Sequence, residues 1–340
     1  MKTYRLFALI TILVVLLTAC SSPATPVETP TQAPTAVPSK AFRVAVIMPS
    51  AVNDVAFSQS IYDALVRIQT DMGGPENMEF VYSQGMFVIE DATAALRTYA
   101  SKGYDLVIAH GSQYGPSVQE VAPEFPEVSF AWSNSSAPTN LSNVFDLTAS
   151  AEEGGYVNGV LAASLTKSNV IGVVGPVEAG ESKLYIDGFK AGVIATNPEI
   201  QVNVNYIGSF SDVVKASEVA TGHIAAGADI LTGTAQMVVG PISKANENKV
   251  LWFGTQSNQT AIAPNIVVAN QVYHWEVALK EIIIKIQSGI PGGESFDINL
   301  ANGGEVMEYN PGYALPGETK ALGDKTIQEI ANGTIKITLP

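Results

Sequence analysis

Strand and helix signals alternate along this chain from Phe42 onward, and they do so in two successive series. Phe42-Arg43-Val44-Ala45-Val46-Ile47-Met48 is a short apolar run ended by Pro49, and Phe57, Ile61, Leu65 and Ile68 then recur at helical spacing. Glu79–Tyr82 reads as a strand, Val88–Ala100 as a helix, Asp105–Ala109 as a strand stopped by His110-Gly111, and Val128–Trp132 as a fourth strand. The second series follows Ser150. It has a helix over Glu152–Leu165, a strand over Val170–Gly175 and a helix over Ser182–Ala195 that stops at Asn197-Pro198. A strand over Val202–Ile207, a helix over Val213–Ala226 and strands at Asp229–Leu231 and Val250–Phe253 complete it. Such alternation demands an α/β fold, because each connection between parallel strands must cross back over the sheet and does so as a helix.

The two series repeat at a period of about 125 residues. Val44-Ala45-Val46-Ile47-Met48-Pro49 aligns with Ile171-Gly172-Val173-Val174-Gly175-Pro176, and Phe130-Ala131-Trp132 with Leu251-Trp252-Phe253. Two similar lobes are therefore expected, each a parallel sheet flanked by helices. The tail departs from the pattern. It offers a strand at Ile266–Ala269, a strong helix at Glu276–Ser288, and a Gly- and Asn-rich remainder with short strands ending at Thr334–Ile337. The expected boundaries are 41–148 for the first lobe, with roughly 270–310 returning to it, and 149–269 for the second, with part of 311–340.

The segment ahead of the lobes reads as an export leader and a spacer. Lys2 and Arg5 precede an almost unbroken apolar run from Leu6 to Leu17, which is too short to span a bilayer comfortably. It ends at Leu17-Thr18-Ala19-Cys20, which resembles the lipobox of bacterial lipoproteins, and Cys20 is the chain's single cysteine. Residues 1–20 are expected to be a lipoprotein signal peptide with Cys20 as the lipidated residue. Residues 21–40 are rich in Pro and Thr and poor in large apolar side chains. They are expected to be an unfolded stalk that holds the lobes near the outer face of the cell membrane.

Composition narrows the function. Apolar residues make up 46% of the chain and charged residues 15%, so a large core is available. The formal net charge of −14 argues against nucleic acid, which requires basic surfaces. Three histidines, His110, His223 and His274, stand apart from one another. No metal motif, phosphate-binding loop or nucleophile elbow occurs, and no catalytic set can be assembled. The expectation is a binding protein, monomeric, with no metal and no cofactor.

Polar and aromatic residues gather where strands end, the place at which open α/β sheets bind ligands. Asn53, Asp54, Phe57, Ser58 and Gln59 follow the first strand, His110 and Gly111 the third, and Asn134 the fourth. In the second series Phe210, Thr234 and Gln256 occupy the same kind of position. Amides and hydroxyls suit a neutral small molecule, and aromatic faces suit a planar ring. Ser, Asn and Asp also cap helices at such places, and for any one residue both readings stay open.

Several segments together resemble the basic-membrane-protein, or PnrA-like, family of nucleoside-binding lipoproteins. They are Asn53-Asp54-Val55-Ala56-Phe57-Ser58-Gln59-Ser60, Phe125-Pro126-Glu127-Val128-Ser129-Phe130-Ala131, Glu152-Glu153-Gly154-Gly155-Tyr156, Gly188-Phe189-Lys190-Ala191-Gly192, Gly208-Ser209-Phe210-Ser211-Asp212 and Gly227-Ala228-Asp229-Ile230. The resemblance implies a two-lobed, type I periplasmic-binding-protein-like fold. It also implies a solute receptor that serves the permease and ATPase subunits of an ABC importer, with a nucleoside-like ligand between the lobes. On that resemblance Phe57 and Phe210 sandwich a ring. Ser58 stands in place of a ligand-binding Asn, Asn134 and Gln256 in place of Asp, and Tyr273 near a position often held by Lys. A ligand sensor or adhesion lipoprotein that keeps the fold without transport is the alternative.

Overall fold

The computed structural model describes residues 40–133 and 138–339. The leader, Cys20, the stalk and Asn134 therefore lie outside the described residues. The first series forms β1 (Phe42–Ile47), α1 (Phe57–Asp71), β2 (Met78–Ser83), α2 (Ile89–Ser101), β3 (Leu106–His110), α3 (Gly115–Val121), β4 (Ser129–Ser133) and β5 (Val144–Ala149). The second forms α4 (Ala151–Leu165), β6 (Val170–Gly175), α5 (Gly180–Thr196), β7 (Gln201–Tyr206), α6 (Val213–Ala225), β8 (Ile230–Gly233), α7 (Val239–Asn248) and β9 (Leu251–Gly254). The tail adds β10 (Val267–Tyr273), α8 (Glu276–Gln287), β11 (Ser295–Ile298), β12 (Glu305–Tyr309) and α9 (Gly317–Ala331). No helix among the described residues is long and apolar enough to cross a membrane.

The strands make two six-stranded sheets with the same plan, β11-β5-β4-β3-β1-β2 and β12-β10-β9-β8-β6-β7. The first is parallel throughout, and the second is parallel except for β12, which runs antiparallel to β10. The central strands carry uninterrupted apolar runs because helices cover both of their faces. Of the stretch 270–310, α8 packs on α1 and β11 pairs with β5, while β10 and β12 belong to the second sheet.

The chain thus passes between the sheets three times, after β5, after β10 and after β11. The three crossings are tied to one another. Ser150 N–H donates to Ile298 C=O at 2.9 Å and His274 N–H to Gly304 C=O at 2.7 Å, which ties the first and second crossings to the third, and Glu305 N–H donates to Asn299 C=O at 3.0 Å within the third. One apolar core runs beneath both sheets on this side, from Phe42, Ile61 and Leu106 through Phe145 to Tyr185, Phe253 and Trp275. Separate cores fill the outer faces of each lobe.

In the second lobe α4 and α5 pack backbone against backbone. A Cβ at Gly155 would lie 2.4 Å from Tyr185 O, and one at Gly159 2.1 Å from Phe189 O. Reciprocally, a Cβ at Gly188 would meet Glu152 O at 2.3 Å and one at Gly192 would meet Tyr156 O at 2.1 Å. Two glycines spaced by four on each helix remove the side chains that would hold the axes apart.

Four elements lie where no strand or helix is expected from the sequence. The strand β5 follows a loop without a clear start signal. The helices α3 and α7 carry Gly115-Pro116 and Gly240-Pro241 in their first turns, where Pro is compatible with a helix but reads as a breaker. The buried face of α9 is Thr319, Gly323, Thr326 and Ile330, too polar to show apolar periodicity. Thr334–Ile337, expected as a strand, has no regular structure. Ile335 and Ile337 pack on the core, so their alternation reflects burial without strand pairing.

Candidate ligand-binding site

The C-terminal ends of the strands in both lobes face a common cleft. It is lined from the first lobe by Pro49, Phe57, Phe87, Gly111, Ser112 and Gln113, and from the second by Ala179, Glu181, Ser182, Phe210, Ala235, Gln236 and Gln256. The space left between them is narrow, about 30 Å³. Of the residues singled out from the sequence, Phe57, Gly111, Phe210 and Gln256 line this space.

Phe57 opens α1 and is held from behind. Its ring stacks on His110, with centroids 3.8 Å apart and planes 12° from parallel, and Trp275 meets it edge-on at 6.3 Å. His110 Nε2 lies 2.9 Å from Phe57 O, and Ser133 Oγ lies 2.6 Å from His110 Nδ1. A carbonyl only accepts, so Nε2 is the protonated nitrogen and Nδ1 accepts from the Ser133 hydroxyl. Burial drives the His110 pKa down to about 3, so the ring is neutral. His110 fixes the position of Phe57 and both of its nitrogens are engaged.

Most of the remaining residues from the sequence support this frame. The Asp54 carboxylate accepts from Ala56 N at 2.9 Å, Ser58 N at 3.1 Å and Gln59 N at 3.0 Å, which ties down the entry to α1. Burial raises its pKa against the lowering effect of those bonds. Ser58 Oγ accepts from Ser50 N, and Gln59 Oε1 from Val55 N. Asn53 is exposed. Thr234 is fully buried and does not line the cleft, and its Oγ1 has no hydrogen-bond partner among the described residues.

The second lobe contributes a carboxyl group that sequence reasoning passes over. Glu181 lies in the first turn of α5 and is 6% exposed. It accepts from the Tyr273 hydroxyl and from Gln256 Nε2, at 3.1 Å to Oε2. Burial raises its pKa to about 7, although both of those bonds favour the ionised form. Gln256 Oε1 in turn accepts from Ala235 N at 3.2 Å. Tyr273 therefore reaches the site through Glu181. Searching the segment after every strand, β6 included, would have found Glu181 and Ser182. Phe87, four residues after β2, would have emerged from the same search.

Backbone strain collects at the same place. Val55, Ala235 and Gln256 are non-glycine residues with φ of 54°, 71° and 71°, and all three follow strands that point at the cleft. Such conformations persist where the surroundings over-determine them. Among the described residues no three metal-ligating side chains come together.

Residues 41–339 match the family described as ABC transporter substrate-binding protein PnrA-like. This chain belongs to that family. It is 26% identical over 310 residues to the ABC transporter nucleoside-binding protein BmpA of Lactococcus lactis, covering 86% of each chain. Over 291 residues it is 25% identical to the transcriptional activator protein med of Bacillus subtilis, covering 85% of this chain and 86% of that one. Among solved structures it resembles an ABC transporter solute-binding protein from Conexibacter woesei, with a TM-score of 0.72, 25% identity, and coverage of 88% of this chain and 99% of that one. The fold of this substrate-binding protein is the type I, two-lobed arrangement, and its family is one of solute-binding proteins.

Proposed function

We propose that this substrate-binding protein is the exported, Cys20-anchored receptor of an ABC importer and that it holds a nucleoside in the interlobe cleft. The carrying observation is that Phe57 and Phe210, from opposite lobes, line one cleft with Phe87, and that the polar groups among its described lining residues are amides, hydroxyls and a single carboxyl group. Aromatic faces accept a planar base. Gln113, Gln236, Gln256, Ser112 and Ser182 offer both donors and acceptors to sugar hydroxyls and base edges. The BmpA relative, named as a nucleoside-binding protein, supports the same reading. In this reading transport energy comes from partner ATPase subunits, and the receptor's part is to close its lobes on the solute.

The test is thermal melting of the purified chain with adenosine, guanosine, inosine, uridine, ribose and glucose. A nucleoside at about 100 times its dissociation constant adds about 2.7 kcal/mol of stability. If no nucleoside moves the melting curve, the reading fails. Similarity to the relative named as a transcriptional activator favours a second reading, a ligand sensor without transport. Nucleoside binding without uptake by cells that express the chain with its permease would favour it.

A further inference from the structure

Among the described residues, the cleft is lined by one ionisable group and by no cation to balance it. None of the lining residues is Lys or Arg, and the sequence places only Asn, Ser, Ser and Ala at positions 134–137. Lys183, two residues beyond Glu181, is paired with Asp187 instead. The titratable groups packed around Glu181 are Tyr273 on β10 and Tyr185 on its own helix, with the buried Glu305 on β12 beyond them. None of these brings a positive charge. A carboxylate has about four lone-pair sites, and Tyr273 and Gln256 do not use them all.

A second, independent feature borders the same space. Gln236 lines the cleft, is 8% exposed, and its Oε1 has no hydrogen-bond partner. A buried amide oxygen left unpaired is costly. Glu181 and Gln236 therefore place two incompletely satisfied acceptors in the wall of a cleft that Phe57, Phe87 and Phe210 also line.

We infer that Glu181 is the specificity-determining residue of the cleft, accepting hydrogen bonds from hydroxyl or N–H donors of a neutral or cationic ring-bearing ligand and repelling anionic ones. This rests on the receptor reading above and sharpens it. A nucleoside offers ribose hydroxyls and base N–H groups to such a pair of acceptors, whereas its 5′-monophosphate brings a dianion toward an uncompensated carboxylate. Tyr273 and Gln256 are positioning residues, since they orient Glu181 and favour its ionised form.

The experiment is calorimetric titration of the full chain with nucleosides, their 5′-monophosphates, ribose and glucose from pH 5.5 to 8.5. It is repeated for Glu181→Gln, Glu181→Asp and Tyr273→Phe, with circular dichroism and melting curves to establish folding. The wild-type chain should bind its best ligand more tightly as pH rises through about 7, as Glu181 ionises. Glu181→Gln should weaken that ligand about tenfold or more, abolish the pH dependence and narrow the preference over the monophosphate. Glu181→Asp should keep the pH dependence. Tyr273→Phe removes a donor to the carboxylate and should move the transition to higher pH.

A folded Glu181→Gln chain with wild-type affinity and wild-type pH profile overturns the role of Glu181 and leaves the nucleoside reading standing. Binding that strengthens toward acid overturns it as well. Ribose or glucose binding with the Glu181-dependent pH profile, and no nucleoside binding, supports Glu181 and overturns the nucleoside. A wild-type chain that binds nothing in the panel overturns both.

Discussion

At the scale of single residues, Phe57 and Phe210, the aromatic walls from opposite lobes, are built differently. Phe57 is 5% exposed and belongs to the core, stacked on His110 and edged by Trp275. Phe210 is half-buried, on the loop between β7 and α6. Replacing Phe57 by Ala should therefore cost both stability, about 3–5 kcal/mol, and ligand affinity. Replacing Phe210 by Ala should leave the melting temperature nearly unchanged and weaken a ring-bearing ligand about 5- to 150-fold, the loss of about 1–3 kcal/mol of stacking. Titration calorimetry and thermal melts of the two variants check this. Equal loss of stability in both would mean that Phe210 is a core residue too. The same contrast explains what the sequence could and could not show. An aromatic placed after a strand is visible as a candidate, but only packing distinguishes a wall held by His110 from one on a loop.

At the scale of elements, the α4–α5 pair turns on the absence of side chains. The hydrophobic pattern of these helices is diffuse, because both are buried nearly all round. Their contact depends on Gly155, Gly159, Gly188 and Gly192, where a single methyl group would lie 2.1–2.4 Å from a carbonyl oxygen of the other helix. Backbone cannot rotate aside as a side chain can. Gly159→Ala should therefore push the helices apart and destabilise the chain by about 1–3 kcal/mol or more, despite the higher helix propensity of Ala. Denaturant unfolding would show it as a lower midpoint. A midpoint unchanged or raised would mean that the helices pack less closely. Because α5 carries Glu181 in its first turn, the loss should also reach ligand affinity.

At the scale of the whole molecule, the three crossings hold an unusual load of carboxyl groups. Glu305 is 1% exposed and accepts from Gly154 N with one oxygen, while its other oxygen has no partner. Burial above all raises its pKa well beyond the ordinary carboxylate range, with Glu153 and Glu152 adding to the rise. Unfolded, the same group ionises near pH 4.3. The unfolded state thus gains from ionisation as pH rises above that value, while the folded state resists until its own higher pKa is passed. The penalty is absent below about pH 4.3 and is fully present once the folded pKa is exceeded. Glu305→Gln should therefore raise the melting temperature at pH 8 and leave it nearly unchanged at pH 4.5, by about 2–4 °C for each kcal/mol relieved. Calorimetric scans at the two pH values check it. An identical shift at both would mean that the effect is packing and not charge.

The sequence by itself determined the class of fold and its two-fold plan. Strand and helix periods are local properties, set by which side chains must face a core, and they survive in a linear reading. The same holds for Phe57 and Phe210, which announce themselves by residue type and by following a strand. The tertiary structure alone decided which of the polar candidates face the cleft. Asp54 spends its oxygens on backbone N–H groups, His110 turns both nitrogens to the scaffold, and Tyr273 reaches the site only through Glu181. It also decided that α9, with its polar buried face, is a helix, and that β12 joins β10 across a crossing. The physical reason is common to all of these. A polar side chain's role is fixed by the partner that satisfies it, and for Glu181 those partners lie 75 and 92 residues further along the chain.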